Sequence, residues 1–332
     1  MFGKIALEEA SEMPDKYEKT QHEADLYIHP EYRTRYLGRI SDITDEQPEN
    51  LPSSVSCFCN YAKLCVFICT DILERLYSDI EEHSDNSSVA LYSRYLGEVP
   101  ELCSRIDSFL EDLTSHLKRS ESCSDSPGPS SLFRAQAQFL EERTLYVRLL
   151  LLRPGLVNSI KFHGQMNSDN LVSPASLLRG NATKDINLLC VSIAYAVIDL
   201  LHTNMKTSAF TTAWHSVRMT FGSAIVVVAA SLLSDLHVDL DQMPAKSSWN
   251  KVLEILDYYR LQDPSAQQAV NTLWNYRTKF STLKSKDNLG GFLSSDGGSL
   301  GMSLDLPALD ENLLDELSAS LVNDSFALDG FY

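Results

Sequence analysis

The sequence predicts an all-α protein that ends in a flexible, acidic tail. Apolar residues recur at intervals of three and four along several long segments, which is typical of helices packed on a core. No segment alternates apolar and polar residues convincingly, and the composition changes after residue 283 to Gly and Ser followed by acidic residues and leucines. These observations predict a poorly ordered start over 1–35, a helical domain over 36–283 and a tail over 284–332.

The periodicity predicts about eight helices. Pro100 separates the second from the third, Arg153-Pro154 ends the fourth, and Asp263-Pro264 marks the start of the eighth. The fifth and sixth are apolar nearly all round, which favours a central position, and the run Ile225–Val228 is read as helix because no turn interrupts its apolar surroundings. In order, the predicted helices cover residues 54–80, 91–96, 102–117, 132–153, 184–202, 213–233, 247–259 and 265–283.

The composition restricts the classes of function. Of 332 residues, 44% are hydrophobic, which suffices for a core, and the formal net charge of −17 disfavours direct binding of nucleic acid. The N-terminal sequence has no signal-peptide pattern, and the apolar stretches Leu188–Leu201 and Ala224–Leu233 are shorter than the roughly 20 residues of a membrane span. Seven cysteines in a chain without an export signal indicate reduced thiols in the cytosol or nucleus.

Two patterns suggest chemistry and are weighed against simpler interpretations. Cys57, Cys59, Cys65 and Cys69 could include metal ligands, but they lie within an apolar helical pattern, where thiols usually serve as small apolar groups. Gly297–Gly301 matches the G-x-S-x-G of hydrolases, although that motif requires a strand before it and a helix after it. We therefore expect a non-enzyme with no catalytic, cofactor-binding or metal-binding residues.

The C-terminal tail is the most suggestive segment for function. Between Asp287 and Tyr332 there are nine acidic residues and no Lys or Arg. Acidic charges keep neighbouring leucines in solvent, so the segment could dock on a partner as an amphipathic helix; the alternatives are a solubilising tail or a last helix packed on the domain itself. The candidate partner-binding residues are Leu309, Leu313, Leu314, Leu317, Leu321 and Phe326.

Several blocks in a fixed order carry a family resemblance. The strongest is FLEERTLYVRLLLLRPGLV (Phe139–Val157), a long helix closing on Arg-Pro; others are LGRISDITDEQPENLP (37–52), FCNYAKLCVFICTDILERLYS (58–78), CVSIAYAVIDLL (190–201) and SAQQAVNTLWNYRTKF (265–280). Together they resemble the regulatory middle region of fungal zinc-cluster transcription factors, over residues 36 to 283. The family's N-terminal six-cysteine zinc cluster has no counterpart here, which suggests a natural truncation or an incomplete gene model.

The resemblance implies a transcription regulator that acts through protein contacts, with a role in pathway-specific control such as that of secondary metabolism. Its expected partners are the transcription machinery and a DNA-binding relative or a second copy. We expect no direct nucleic-acid contact, no membrane and no cofactor, since the zinc cluster is missing. The expected location is the nucleus, otherwise the cytoplasm. The alternatives are a ligand-sensing or inhibitory partner of a full-length factor and, more remotely, an all-α enzyme.

Overall fold

The computed structural model describes residues 53–77, 88–118, 129–162, 174–206 and 212–290, and all regular structure in these ranges is helical. The all-α prediction is therefore confirmed for this part of the chain. A π-helical segment, Ile68–Tyr77, continues the first helix, and two short 3-10 turns, Ser115–Leu117 and Ser234–Leu236, lie between later helices. The helices are α1 (Ser53–Phe67), α2 (Ser88–Asp112), α3 (Pro129–Phe162), α4 (Pro174–Asn204), α5 (Ala213–Ala230), α6 (Ala245–Tyr259) and α7 (Ser265–Gly290).

The chain divides into two compact units. Among the described residues, unit 1 contains α1, α2, the first part of α3 to Leu151, and residues 203–206 and 212–216. Unit 2 contains the rest of α3 from Leu152, α4 to His202, and residues 217–290. The boundary between the units therefore falls within α3, α4 and α5.

The start of α7 is formed as the sequence predicts. The Asp263 carboxylate accepts hydrogen bonds from the backbone amide of Ser265 (2.9 Å) and from its hydroxyl (2.7 Å). Asp263 thus caps the start of α7, and Pro264 lies directly before its first residue, where the missing amide proton is not needed. The helix then runs to Gly290, beyond the predicted end at Leu283.

Two predicted helix boundaries are wrong, and both were placed at prolines. Pro100 lies inside α2, which joins the second and third predicted helices, and Pro154 lies inside α3, which continues to Phe162. A proline within a helix removes one hydrogen bond and crowds the preceding turn. Around Pro154 the flanking positions Leu151, Leu152 and Leu156 are all fully buried, so packing offsets that cost and the helix continues.

The helices α5 and α4 were both predicted to be central, and only α5 is buried as expected. Its residues 224–230, which include Ile225–Val228, are all buried, so the helical interpretation of that run is confirmed. In α4 only one side is buried, through residues such as Cys190, Ala194 and Ile198. The other side leaves Leu188 at 43% and Leu189 at 46% exposure.

Candidate functional site

The partner-binding residues predicted in the tail (Leu309, Leu313, Leu314, Leu317, Leu321 and Phe326) lie outside the described residues, as do residues 1–35 and Gly297–Gly301. The described part of the chain provides a different candidate for protein contact. It consists of one aromatic and arginine cluster in unit 2, which was not singled out from the sequence.

This cluster, called the Trp274 cluster below, contains Asp241, Trp249, Trp274 and Arg277. The indole rings of Trp249 on α6 and Trp274 on α7 meet edge to face, with centroids 5.5 Å apart. The guanidinium carbon of Arg277 lies 4.9 Å from the Trp249 centroid and 5.5 Å from that of Trp274. A cation over an aromatic face is attracted by the ring quadrupole, so the arginine holds both rings in place.

The Trp274 cluster reaches the surface. The Arg277 Nη2 atom donates to the Asp241 carboxylate at 2.5 Å, which fixes the guanidinium from the loop before α6. Trp249 is buried, whereas Trp274 is 46% exposed. Tryptophan and arginine side chains on a rigid support are among the residue types enriched in protein interfaces. The cluster is therefore suited to binding an apolar side chain of a protein partner.

A charged network occupies the surface of unit 1. The Asp71 carboxylate, in the π-helical segment, accepts two hydrogen bonds from the Arg105 guanidinium of α2, at 2.7 and 3.0 Å. It also accepts from the Thr70 hydroxyl and from Arg75, and Arg75 pairs in turn with Glu98 at 3.3 Å. Charge-assisted, bidentate pairs of this kind are stronger than single contacts, so the network ties the π-helical segment to α2.

The Asp71 network has a pH dependence. Burial by itself would raise the pKa of the Asp71 carboxyl, but the hydrogen bonds from Arg105, Thr70 and Arg75 outweigh it, and the net pKa is lowered. A lowered folded-state pKa stabilises the fold above the unfolded value of about 4, and this stabilisation is lost as the pH falls through the folded value.

We expect Asp71→Asn to lower the free energy of unfolding by about 1–2 kcal/mol at pH 7, after allowance for the solvent exposure of Arg105. The difference from the wild type should vanish as the pH is lowered below 4, and urea titrations at several pH values would measure it. Asp107→Asn is the matched control, since Asp107 also pairs with an arginine, Arg148, but its side chain is 61% exposed. An equal, pH-independent loss in both variants would contradict the assignment.

Other polar side chains of unit 1 are buried between its helices. The Asn204 amide donates to the Glu142 carboxylate at 2.9 Å, and both residues are buried. The Arg143 guanidinium lies 4.9 Å from the Phe139 ring and 5.9 Å from that of Tyr61. The Asn204–Glu142 hydrogen bond pairs two buried polar groups inside the unit, where an unpaired group would be costly.

One ion pair and one histidine–carboxylate contact connect α4 and α6 in unit 2. Lys251 Nζ lies 2.7 Å from an Asp199 oxygen, and His202 Nε2 lies 2.7 Å from a Glu254 oxygen. The other histidine near this part of the sequence, His215, has a different partner, the Thr212 hydroxyl, at 2.8 Å. The Glu254 carboxylate orients the imidazole of His202, and this contact links α4 to α6.

Burial favours the neutral thiol at Cys57 and Cys59. Burial raises the pKa of Cys57 to about 12, with a further contribution from Cys59, and burial raises the pKa of Cys59 as well, partly offset by Lys63. A metal-bound cysteine has to be deprotonated. Within the described ranges, no group of three or more His, Cys, Asp or Glu side chains is placed to hold a metal ion.

Three helical stretches are long and apolar enough to cross a membrane on the basis of length and composition alone: Ser56–Leu73, Leu178–Asn204 and Ala213–Ala230. The stretch Ala213–Ala230 is 72% buried within the protein, and Leu178–Asn204 is 50% buried. The high burial of Ala213–Ala230 agrees with a core helix. The lower burial of Leu178–Asn204 reflects the exposed side of α4.

Comparisons with protein-family models, with curated proteins and with solved structures find no match to this chain.

Proposed function

We propose that this chain is a transcription-regulator-like protein that acts through protein contacts and has no catalytic activity of its own. The observation that carries the proposal is the C-terminal segment Asp287–Tyr332, in which nine acidic residues and no Lys or Arg surround regularly spaced leucines. Such a segment keeps leucines solvated until a partner groove binds them. The resemblance of residues 36–283 to the regulatory region of fungal zinc-cluster factors supports the same conclusion.

The helical part is proposed to regulate this segment or to join a DNA-binding relative. The Trp274 cluster supports a role in protein contact, because it combines a half-exposed tryptophan with an arginine that lies over two indole rings. The acidic chain is proposed to reach DNA only through such a partner, since like charge repels it from phosphates. The nucleus is the proposed location, and control of one pathway is the proposed role.

Two fusions to a heterologous DNA-binding domain test the proposal in a reporter assay, one carrying residues 1–332 and one carrying 284–332. We expect the C-terminal fusion to activate the reporter. Replacing Leu313, Leu314 and Leu317 with alanine should reduce activation at least tenfold, because the apolar face that docks is removed. The matched control replaces Ser318, Ser320 and Asn323 with alanine, and it should leave activation unchanged.

Silence of both fusions, at protein levels equal to those of an active control, would reject the activator function. The chain would then fit the alternative function, a ligand-sensing or inhibitory partner of a full-length factor. Equal losses from the leucine and the serine variants would reject the docking mechanism. An all-α enzyme is the remote third possibility. It would need catalytic side chains other than those whose contacts are described above.

A further inference from the structure

The Trp274 cluster of unit 2 leaves one of its two indole rings half-exposed. Trp274 is 46% exposed, although its ring meets the buried ring of Trp249 edge to face. The buried indole nitrogen of Trp249 has no hydrogen-bond acceptor among the described residues. An occupant with apolar side chains and many oxygen acceptors would therefore suit the cluster, because it buries aromatic surface and can pair a donor that is costly to leave unpaired.

The helix that bears Trp274 is positively charged within an acidic chain. Between its ends at Ser265 and Gly290, α7 contains four basic residues and one acidic residue, a net charge of +3, whereas the whole chain carries −17. One of the four lies over both indole rings of the cluster and pairs with Asp241. The charge of α7 therefore favours an acidic occupant. The charged residues of α7 are Arg277, Lys279, Lys284, Lys286 and Asp287.

An acidic segment with regularly spaced leucines follows α7 in the same chain. Residues 291–332 contain eight acidic residues and no Lys or Arg, so their charge is opposite to that of α7. Within residues 304–321 leucines recur at intervals of three and four, which would place them along one face of a helix. This segment offers apolar side chains to the exposed indole and carboxylates to the positive helix. The leucines are Leu306, Leu309, Leu313, Leu317 and Leu321.

The connection between α7 and this segment is long enough for a return to Trp274. Trp274 lies sixteen residues before Gly290, the last residue of α7, which corresponds to about 24 Å along the helix. Residues 291–303 join α7 to the leucines, and eight of these thirteen residues are Gly or Ser. A chain of this length and composition spans about 20 Å on average and about 45 Å at most. The leucines can therefore reach Trp274 if the segment runs back along α7.

We infer that the Trp274 cluster binds the leucine face of residues 304–321 of the same chain, which folds back along α7. The inference names an occupant for a surface that the proposed function uses, and its regulatory consequence rests on that function: covered leucines are withheld until a partner displaces the segment. The contact itself needs no activator function. A connection of thirteen residues gives a local concentration of about 1 mM, so a contact with a dissociation constant of about 100 μM would be about 90% occupied.

Fluorine NMR of the full-length chain labelled with 5-fluorotryptophan tests the contact. Three resonances are expected, one for each tryptophan, and Trp274→Phe assigns that of Trp274. The triple leucine variant of the reporter assay should shift the Trp274 resonance by more than its line width, because the indole loses its cover. It should leave in place the resonance of Trp214, which lies in unit 1. The matched serine variant should shift neither resonance.

The spectra separate the possible occupants and the two proposals. An unchanged Trp274 resonance in the leucine variant would overturn the inference, as would equal shifts in the leucine and serine variants. The wild-type spectrum should stay the same between about 10 and 200 μM protein, because the contact lies within one chain. A Trp274 shift that grows with concentration would assign the cluster to a second copy instead. A shift in the leucine variant beside silent reporter fusions would keep the contact and reject only the activator function.

Cleavage of the full-length chain by a glutamate-specific protease measures the contact from the side of the segment, which contains Glu311 and Glu316. Trp274→Ala is expected to speed cleavage at both sites about tenfold, since a segment that is about 90% bound is cut only while it is free. Leu261→Ala is the matched control, at a 94% exposed position between α6 and α7, and should leave the rate unchanged. Equal rates in the wild type and Trp274→Ala, with the helical circular dichroism retained, would overturn the inference.

Discussion

Replacing Phe280 with alanine is expected to lower the free energy of unfolding of unit 2 by about 3–5 kcal/mol. Phe280 is 2% exposed, and its ring stacks against that of Tyr276 at a centroid distance of 6.0 Å. Removal of the ring loses the transfer free energy of a large apolar group and leaves a cavity that the neighbouring helices fill only in part. Urea titration followed by circular dichroism would measure the loss.

Thr278→Ala is the control on the same helix. Thr278 is exposed, and its hydroxyl bonds only to the backbone oxygen of Trp274 one turn earlier, at 2.8 Å. Its replacement should change the stability by less than about 0.5 kcal/mol. If Phe280→Ala cost no more than Thr278→Ala, the burial of Phe280 in the second half of α7 would be wrong.

Alkylation of Cys57 and Cys190 at pH 8 is expected to be about a thousandfold slower in the native protein than in urea. Burial raises the pKa of Cys190 to about 12, although the positive charge of Arg153 opposes the rise, and it raises that of Cys57 to about 12 too. Only the thiolate reacts with iodoacetamide, and each unit of pKa reduces its fraction tenfold. Mass spectrometry of the native protein should therefore find Cys57 and Cys190 unmodified at times when they react fully in urea.

The same two thiols affect stability at high pH. A raised folded-state pKa means that their contribution is fully present below the unfolded value of about 9. It is lost as the pH rises from there toward 12, by roughly 1.4 kcal/mol per pH unit for each thiol. Cys190→Ala should flatten this decline relative to the wild type. Rapid native alkylation of Cys190, or an unchanged pH slope in the variant, would contradict the burial assigned to it.

The sequence was sufficient to predict helices wherever apolar periodicity and local end signals agree. The cap at Asp263 and the helical state of Ile225–Val228 depend on neighbours within a few residues, and both predictions are confirmed. The boundaries at Pro100 and Pro154 were wrong, and at Pro154 the difference follows from tertiary packing. A proline inside a helix costs free energy that can be judged from the local sequence. The burial of the leucines around Pro154, which offsets this cost, cannot be judged from the local sequence.

The exposure of α4 shows a second limit of sequence reasoning. Leu188 and Leu189 are as apolar as their buried neighbours, so periodicity predicted a fully buried helix, and only the arrangement of helices reveals one side without cover. The Trp274 cluster was missed for a similar reason. Trp274 and Arg277 are one turn apart on α7, but Trp249 and Asp241 come from another part of the sequence. The tail residues proposed to bind a partner stay a prediction.

The division of three helices between the two units affects how the protein can be cut for expression. A gene fragment that ends at residue 151 would stop in the middle of α3, and it would lack residues 203–206 and 212–216, which belong to the same unit. Neither unit is a continuous stretch of the gene. Shortened expression clones should therefore keep 53–290 intact, and any fragment that ends within α3, α4 or α5 is expected to be insoluble.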